Sequence, residues 1–183
     1  MTERQTLDAE RIRELLAELG EVLAGEGISG QLYLVGGGAI ALAYSTDRVT
    51  SDLDAVFEPK MKIYEAARHL AQRHGLSSDW LHDAVKGLLP SGTGAPKEVL
   101  SVRGLSVLVP DPKTLFAMKV RASRADRDLE DIRLLYKLAG FSSAREALDY
   151  VGSVFHESQL DARSKFALLE MLEIEDEAGE EIE

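Results

Sequence analysis

Hydrophobic and polar positions divide this chain into a first half of alternating strand and helix patterns and a second half with mainly helical patterns. In the first half, apolar residues recur at helical spacing before and after two short apolar runs that are typical of buried strands. The first run ends in three glycines, and Pro59 stops the second. The predicted elements are a helix at 7–23, a strand at 31–35, a helix at 39–44, a strand at 52–57 and a helix at 60–74.

Residues 77–90 are predicted to be irregular or briefly helical, and SGTGAP at 91–96 is predicted to be a loop. The second half of the pattern begins after this loop. Two short apolar runs on either side of Gly104 predict a β-hairpin. Pro112 then suits the first turn of a helix. The remaining predicted elements are all helices, at 115–122, 128–138, 144–151 and 160–172.

This order of elements predicts an α+β fold, in which a small mixed β-sheet is followed by a C-terminal helical region. We expect a sheet-containing core at residues 1–110 and the helical region at 111–172. Residues 173–183 are expected to form a disordered or solvated acidic tail, because they carry several carboxylates and no basic residue.

Charge and composition limit the class of protein. The net charge of the 183 residues is −11, but eight acidic residues lie at 170–183, so the remainder carries 24 acidic against 21 basic residues. This balance argues against a general nucleic-acid coat. The chain has no cysteine, which excludes a disulfide framework and a thiolate metal site. The polar first residues and the lack of an apolar run of 18 residues predict a cytoplasmic protein without a membrane partner.

The segment LVGGGAIALAYSTDRVTSDLDAVF, at residues 34–57, joins a glycine turn to two carboxylates. Gly36 to Gly38 follow a strand and open a helix, a geometry that suits a phosphate, although such glycines can serve the turn alone. Asp52 and Asp54 are two residues apart, so on a strand their carboxylates share one face. Adjacent carboxylates repel each other unless a cation lies between them, and Mg²⁺ takes oxygen ligands and shares its shell with phosphates. The segment therefore predicts a magnesium site.

The same glycines also fit the dinucleotide pattern G-x-G-x-x-A over residues 36–41. In a dinucleotide-binding fold, however, the ribose-binding acid ends the second strand, whereas Asp52 and Asp54 begin theirs. A second set of alternating strands and helices is also missing from the pattern. A dinucleotide site is therefore the less favoured alternative.

These residues resemble the nucleotidyltransferase superfamily, whose signature is a glycine pair that opens a helix, followed by an Asp-x-Asp strand. More closely, they are similar to the AbiEii-type toxins of abortive-infection and toxin–antitoxin systems. A second block in the helical half agrees with this family, and the resemblance covers residues 32–138. The matching residues are Gly36-Gly37, Arg48-x-Thr50-x-Asp52-Leu53-Asp54, Leu115-x-x-x-Lys119, Arg124 and Asp128-x-x-Asp131-Ile132.

The resemblance implies the transfer of a nucleoside monophosphate from an NTP to a hydroxyl of RNA, such as tRNA, or of a protein. Such chemistry needs positioning and charge neutralisation more than covalent work by the enzyme. It also implies a cognate antitoxin as partner and Mg²⁺ as cofactor. Lys119 would pair with the triphosphate, and Asp131 would be a further acid near the metal or the base for the incoming hydroxyl. The implied residues are Asp52, Asp54, Lys119 and Asp131 for catalysis, Asp52 and Asp54 for the metal, and Gly36, Gly37, Arg48, Thr50 and Lys119 for the nucleotide.

Several of these assignments leave an alternative open. Arg48 can reach the phosphates or pair with an acid, and Lys119 can be an exposed helix lysine. Asp128 and Asp131 can belong to a surface ladder of ion pairs, in which Arg127 pairs with Asp131.

The pattern also lacks one expected feature, a third carboxylate on a later strand. The hairpin contains no acid that faces the first two, and Glu58 and Glu98 lie at strand ends. The third ligand is therefore supplied by the helical half or is missing, and a missing acid would favour an inactive nucleotide- or partner-binding relative. The four histidines show no metal-ligand spacing and are expected to be ordinary surface or core residues. Trp80 is expected to pack in the core.

Overall fold

A computed structural model of the protein describes residues 5–45, 47–83, 89–90, 92–122, 128–155, 165–166, 168–170 and 172–173. The chain divides into two compact units. The first consists of Met1–Leu88 and Ala95–Pro110, and the second of Leu89–Gly94 and Asp111–Glu183. Within the described residues, every helix is too short or too polar to cross a membrane.

The first unit is built on a five-stranded mixed sheet. The strand order is β3-β2-β1-β5-β4, with antiparallel pairing of β1 with β2 and of β4 with β5, and parallel pairing of β1 with β5 and of β2 with β3. The strands are β1 (Gly30–Val35), β2 (Leu53–Glu58), β3 (Leu81–His82), β4 (Lys97–Val102) and β5 (Leu105–Val109). The helices are α1 (Ala9–Gly25), α2 (Gly36–Ala43) and α3 (Lys60–His74).

The core of the first unit forms where the apolar faces of its helices meet the sheet. Asp8 caps α1, since its side chain accepts a hydrogen bond from the backbone N–H of Arg11 at 2.8 Å. The apolar stripe of α1 is fully buried and packs against α3 and β5. Its members, Ile12, Leu15, Leu16, Leu19 and Leu23, are each at most 1% exposed.

The second unit contains the helices α4 (Pro112–Ala122), α5 (Leu129–Ala139) and α6 (Ala144–Val154). Asp111 stabilises the start of α4 by accepting the backbone N–H of Thr114 at 3.1 Å. Ser143 caps α6 in the same way, and Gly140 ends α5 in the left-handed conformation. Four aromatic side chains pack together in this unit, with ring centroids 5.2–6.1 Å apart: Phe116, Tyr136, Phe141 and Tyr150.

The α+β layout predicted from the sequence is confirmed, and so are the hairpin around Gly104 and the helix that begins at Pro112. The sequence pattern did not predict β3, which lies inside the segment 77–90 that was expected to be irregular or briefly helical. The antiparallel pairing of β1 with β2 argues against the dinucleotide alternative, because that fold has parallel strands at this point. Most of the helix predicted at 160–172 and the acidic tail beyond 173 lie outside the described residues. The predicted domain boundaries stay a prediction.

Candidate metal and nucleotide site

The register of β1 and β2 brings the carboxylate of Asp54 to the glycine turn. Val35 pairs with Asp54 across the two antiparallel strands, and Gly36 follows Val35 directly as the first residue of α2. Gly36 has a φ of +62°, a conformation that side chains rarely adopt. A Cβ on this residue would lie 3.3 Å from Asp54 Oδ2. The carboxylate of Asp54 therefore lies immediately beside the start of the helix.

The other two glycines allow equally close contacts. A Cβ on Gly37 would lie 3.1 Å from Thr50 Oγ1 and 4.0 Å from Arg48 Nη2. A Cβ on Gly38 would lie 2.6 Å from a methyl group of Leu53, which is fully buried. Leu53 points into the core, as the alternation of the strand predicts. The structure thus gathers Arg48 and Thr50 beside the glycine turn.

The loop that carries Arg48 and Thr50 is held by the segment before α1. Thr50 and Leu7 exchange two backbone hydrogen bonds of 2.7 and 3.0 Å. The hydroxyl of Thr50 donates to the carbonyl of Asp52 at 3.0 Å, which links the loop to the start of β2. Arg13, in α1, donates to the carbonyl of Leu42 near the end of α2 at 2.9 Å. These bonds fix both ends of the connection between α2 and β2.

The start of α2 suits an anion. Its N-cap residue is Val35, whose apolar side chain makes no hydrogen bond to the first turn. The first N–H groups of a helix have no partner within the helix, and they lie at the positive end of its dipole. Gly36 and Gly37 place no side chain over these groups. A phosphate can therefore approach the backbone closely.

A histidine completes a cluster with the two carboxylates. The parallel register of β2 and β3 places His82 opposite Asp54, with Nε2 3.3 Å from Asp54 Oδ1 and 3.9 Å from Asp52 Oδ2. One potential ligand atom from each of the three residues lies within 4.8 Å of the others. The side chains of Asp52, Asp54 and His82 are 37%, 33% and 28% exposed, so solvent and ligands reach them. Two carboxylates and an imidazole form a donor set that fits a divalent cation.

The strand that carries His82 is anchored on both sides. On one side, the carbonyl of Trp80 accepts the backbone N–H of Leu53 at 2.7 Å, and its buried indole donates to the carbonyl of Ala67 at 2.9 Å. The expectation that Trp80 packs in the core is confirmed, since it is 1% exposed. Its hydrogen bonds show that it also holds β3 against β2.

On the other side of His82, Asp83 forms an ion pair with Lys60 and accepts the hydroxyl of Tyr64 at 2.5 Å. The hydrogen bond with Asp83 raises the pKa of Lys60 above its ordinary value. Burial raises the pKa of Tyr64, and the hydrogen bond to Asp83 raises it further. Both groups therefore keep their protons at neutral pH and hold Asp83 in place.

The expectation that all four histidines are ordinary does not hold for His82, which lies against both carboxylates. Sequence reasoning missed it because a strand of two residues is too short to show a period. A local signal was the apolar pair Trp80-Leu81, which stands between polar residues at 77–79 and 82–83. Of the other histidines, His74 bonds to Glu18 at 2.6 Å, and His156 lies outside the described residues.

Neither of the two glutamates near strand ends joins this cluster. Glu58 pairs with Gln31 at the end of β2 away from Asp54, and its side chain is exposed. Glu98 lies in β4, where it accepts the hydroxyl of Ser106 at 2.6 Å. In the part of the chain that the structure describes, the third member of the cluster is a histidine and not a carboxylate.

In the second unit, Lys119 contacts two carboxylates at once. Its Nζ lies 2.7 Å from Asp128 Oδ1 and 2.8 Å from Asp131 Oδ2, and the side chains of Lys119 and Asp131 are only 15% and 6% exposed. The reading of Lys119 as an exposed helix lysine is therefore wrong. Asp131 is also too buried for a surface ladder of ion pairs. Arg124 and the predicted partner Arg127 lie outside the described residues.

Comparison with known proteins adds one solved structure. The chain is similar to an antigenic nucleotidyltransferase-like protein from Paracoccidioides brasiliensis, with 15% sequence identity and a TM-score of 0.48. The match covers 91% of this chain and 95% of that protein. No protein-family model and no curated protein match the chain. At this identity and TM-score the similarity carries no argument about activity.

Proposed function

We propose that this protein is a metal-dependent nucleotidyltransferase, which transfers a nucleoside monophosphate from an NTP to a hydroxyl. The observation that carries the proposal is the convergence of two carboxylates with a glycine-rich helix start. Asp54 Oδ2 lies 3.3 Å from the place of a Cβ on Gly36, and Asp52 and Asp54 each contribute an oxygen to one cluster of potential ligands. A site for a divalent cation next to a site for phosphate is what phosphoryl-type transfer requires.

In this proposal the start of α2 binds the triphosphate. The N–H groups of Gly36 and Gly37 and the positive end of the helix dipole attract the phosphate oxygens. Arg48 and Thr50 lie beside Gly37. The guanidinium of Arg48 can bind the same anion, and the hydroxyl of Thr50 can do so once it leaves the carbonyl of Asp52. The residues before α1 hold this loop in place through the two backbone bonds between Leu7 and Thr50.

Asp52 and Asp54 would hold the divalent cation, Mg²⁺ in the simplest case. A bound cation neutralises charge on the triphosphate and lowers the pKa of the attacking hydroxyl. In the transfer, the hydroxyl oxygen forms a bond to the α-phosphorus while the bond between that phosphorus and the pyrophosphate oxygen breaks. The hydroxyl proton must pass to a base, and pyrophosphate leaves with the electrons of the broken bond.

We assign Lys119 and Asp131 to the same reaction on the basis of the sequence resemblance. Lys119 would pair with the triphosphate, and Asp131 would be the further acid or the base. Lys119 contacts Asp128 and Asp131 in the structure, so a phosphate would pair with the third N–H donor of the ammonium or replace one of these carboxylates.

The resemblance to AbiEii-type toxins also supports a biological role. We propose that the protein is the toxin of a toxin–antitoxin or phage-defence system in the cytoplasm, with a cognate antitoxin as partner. The acceptor hydroxyl would belong to RNA, such as tRNA, or to a protein. Acidic and basic residues nearly balance over residues 1–169. This charge suits a small, local contact with RNA better than binding over a large basic surface.

A second candidate function is nucleotide or partner binding without turnover. Two observations favour it: among the described residues the third position of the cluster is His82 in place of a carboxylate, and Lys119 is engaged by two carboxylates. A degenerate relative of this kind would bind an NTP at the glycine turn but would leave it intact.

Labelled nucleotides separate the two candidates. Purified protein is incubated with Mg²⁺ or Mn²⁺, bulk RNA or protein, and each NTP labelled at the α- or the γ-phosphorus. Transfer predicts that the α-label enters the acceptor while the γ-label appears in pyrophosphate, and that Asp52→Asn and Asp54→Asn abolish both. Asp149→Asn removes an exposed carboxylate of α6 and serves as the matched control. NTP binding without any transfer supports the second candidate, and transfer that survives Asp54→Asn refutes the proposed site.

A further inference from the structure

We propose that His82 is a ligand of the divalent cation, so that the site prefers a first-row transition ion such as Mn²⁺ over Mg²⁺. This inference rests on the proposed function, because it concerns the cation that Asp52 and Asp54 would hold. The third ligand of the cation would then be a nitrogen atom of His82, beside one oxygen atom each from Asp52 and Asp54.

The geometry of the cluster favours a shared ligand. The Nε2 atom of His82 lies 3.3 Å from Asp54 Oδ1, which is close to the separation of two neighbouring ligands around one cation about 2.2 Å from each. The distance of 3.9 Å to Asp52 Oδ2 still falls within the span of a single coordination shell. The three atoms can therefore bind one ion with small side-chain movements.

The backbone around His82 is ordered by contacts that do not involve the cluster itself. Trp80 is bonded to Leu53 and Ala67, and Asp83 is bonded to Lys60 and Tyr64. His82 lies between these two anchors in a parallel pairing with Asp54. A ligand held in this way loses little conformational freedom when it binds a metal, which favours binding.

The chemistry of the donor set determines the preferred ion. Mg²⁺ demands oxygen ligands and retains its water, whereas imidazole nitrogen is a good ligand for divalent transition ions. Affinity for a mixed nitrogen and oxygen site rises along the first transition row from Mn²⁺ to Cu²⁺. Replacing an acid by histidine in the third position therefore shifts the preference from Mg²⁺ towards Mn²⁺.

A different role for His82 would produce the same distances. A protonated imidazole can act as a counterion that neutralises Asp52 and Asp54, and it would then compete with a metal ion for the two carboxylates. The two roles predict opposite effects when the ring is removed. Loss of a ligand weakens Mn²⁺ binding, whereas loss of a competing cation strengthens it.

Metal binding without nucleotide tests the inference. Mn²⁺ affinity is measured from the electron paramagnetic resonance signal of the free ion, and Mg²⁺ affinity from its competition with Mn²⁺. We expect wild-type protein to bind Mn²⁺ about tenfold or more tightly than Mg²⁺, and His82→Ala to lose a similar factor of Mn²⁺ affinity. His82→Asp should bring the Mn²⁺ and Mg²⁺ affinities closer together. His69→Ala, at an exposed histidine of α3, should change neither affinity.

Equal affinity of the wild type for the two ions overturns the inference, and so does unchanged or tighter Mn²⁺ binding by His82→Ala. Circular dichroism without metal checks that each variant is folded. If a variant is not folded, the ratio of the Mn²⁺ and Mg²⁺ affinities of the wild type decides the test. Asp54→Asn distinguishes this failure from that of the proposed function. If it loses Mn²⁺ binding while His82→Ala does not, the carboxylate site stands and only the histidine ligand is refuted. If Asp54→Asn binds Mn²⁺ normally, the proposed function fails as well.

Discussion

The carboxylate of Asp54 lies beside Gly36: a Cβ on Gly36 would lie 3.3 Å from Asp54 Oδ2. The pairing of β1 with β2 brings the two residues together, because Val35, which precedes Gly36, is the register partner of Asp54. The start of α2 and the first residues of β2 therefore form one structural unit. A change at the glycine is transmitted to the carboxylate without passing through another side chain.

The first prediction tests the close approach of the Asp54 carboxylate to Gly36. Gly36→Ala forces a side chain into a φ of +62° and against Asp54, so it should lower the free energy of unfolding by about 1 kcal/mol and also lose nucleotide transfer. Gly75→Ala is the matched control, since Gly75 has a φ of +65° and open space around it. It should cost similar stability and leave transfer unchanged. Urea unfolding and the transfer assay measure the two effects, and equal activity in both variants would contradict the role of the contact.

The second prediction concerns the cation and the nucleotide. A ligand that binds only the folded state stabilises it by mass action. Millimolar Mg²⁺ or Mn²⁺ with an NTP should therefore raise the melting temperature of the wild type, and the rise should be lost in Asp54→Asn. Removal of the metal with a chelator should return the wild type to its starting value. An equal rise in both proteins would show that the ligands bind elsewhere.

The third prediction separates Lys119 from the carboxylates of β2. Lys119→Ala removes the ammonium that both Asp128 and Asp131 contact, in a pair that is mostly buried. It should lower the free energy of unfolding by about 3 kcal/mol and lose transfer, while Mn²⁺ binding at Asp52 and Asp54 persists. Asp131→Asn should be milder in stability, because Lys119 keeps Asp128, but should also lose transfer.

An exposed ion pair gives the control for this stability effect. Arg103 contacts Glu21 at 3.2 Å, with side chains that are 70% and 59% exposed. Arg103→Ala should therefore cost less than about 1 kcal/mol. Full transfer activity in both Lys119→Ala and Asp131→Asn would mean that these residues only stabilise the second unit.

The fourth prediction is a dependence of stability on pH. Burial of Glu18 tends to raise its pKa, but hydrogen bonds with His74 and Arg73 outweigh this effect and lower the pKa below 4.5. A lowered pKa in the folded state contributes stability that is present above pH 4.5 and is lost as the pH falls through the folded value. Glu18→Gln should therefore lower the free energy of unfolding at pH 7 by about 1 kcal/mol or less, with a smaller difference at pH 3.

Glu14→Gln is the control for Glu18, since Glu14 lies in the same helix and its side chain is 57% exposed in an ion pair with Arg11. Its effect should be smaller at both pH values. Chemical denaturation at pH 7 and pH 3 measures these differences, and a Glu18→Gln effect that stays constant between them would contradict the assignment.

The sequence was sufficient for features that repeat along the chain. The helix predicted at 60–74 coincides with α3 because its apolar stripe is regular. The alternation of Asp52, Leu53 and Asp54 predicted which side of the strand faces the core, and Leu53 is indeed fully buried. The glycine turn could be placed at the start of a helix because it followed an apolar strand.

Features that depend on contacts between distant segments could not be predicted. His82 reaches Asp54 only through the pairing of β2 with β3, and a two-residue strand leaves no periodic signal. The engagement of Lys119 by Asp131 depends on how α4 and α5 pack, so the spacing of residues along the chain does not show it. In both cases a polar side chain is positioned by tertiary packing and not by its neighbours in the chain.

The proposed function requires that Asp52 and Asp54 hold a divalent cation next to a triphosphate at the start of α2. Its most direct test is a crystal structure with Mn²⁺ and a non-hydrolysable NTP analogue, in which anomalous scattering locates the ion. We expect Mn²⁺ at about 2 Å from oxygens of both carboxylates, with the triphosphate against the N–H groups of Gly36 and Gly37. Mn²⁺ bound elsewhere, with neither Asp52 nor Asp54 as a ligand, would contradict it.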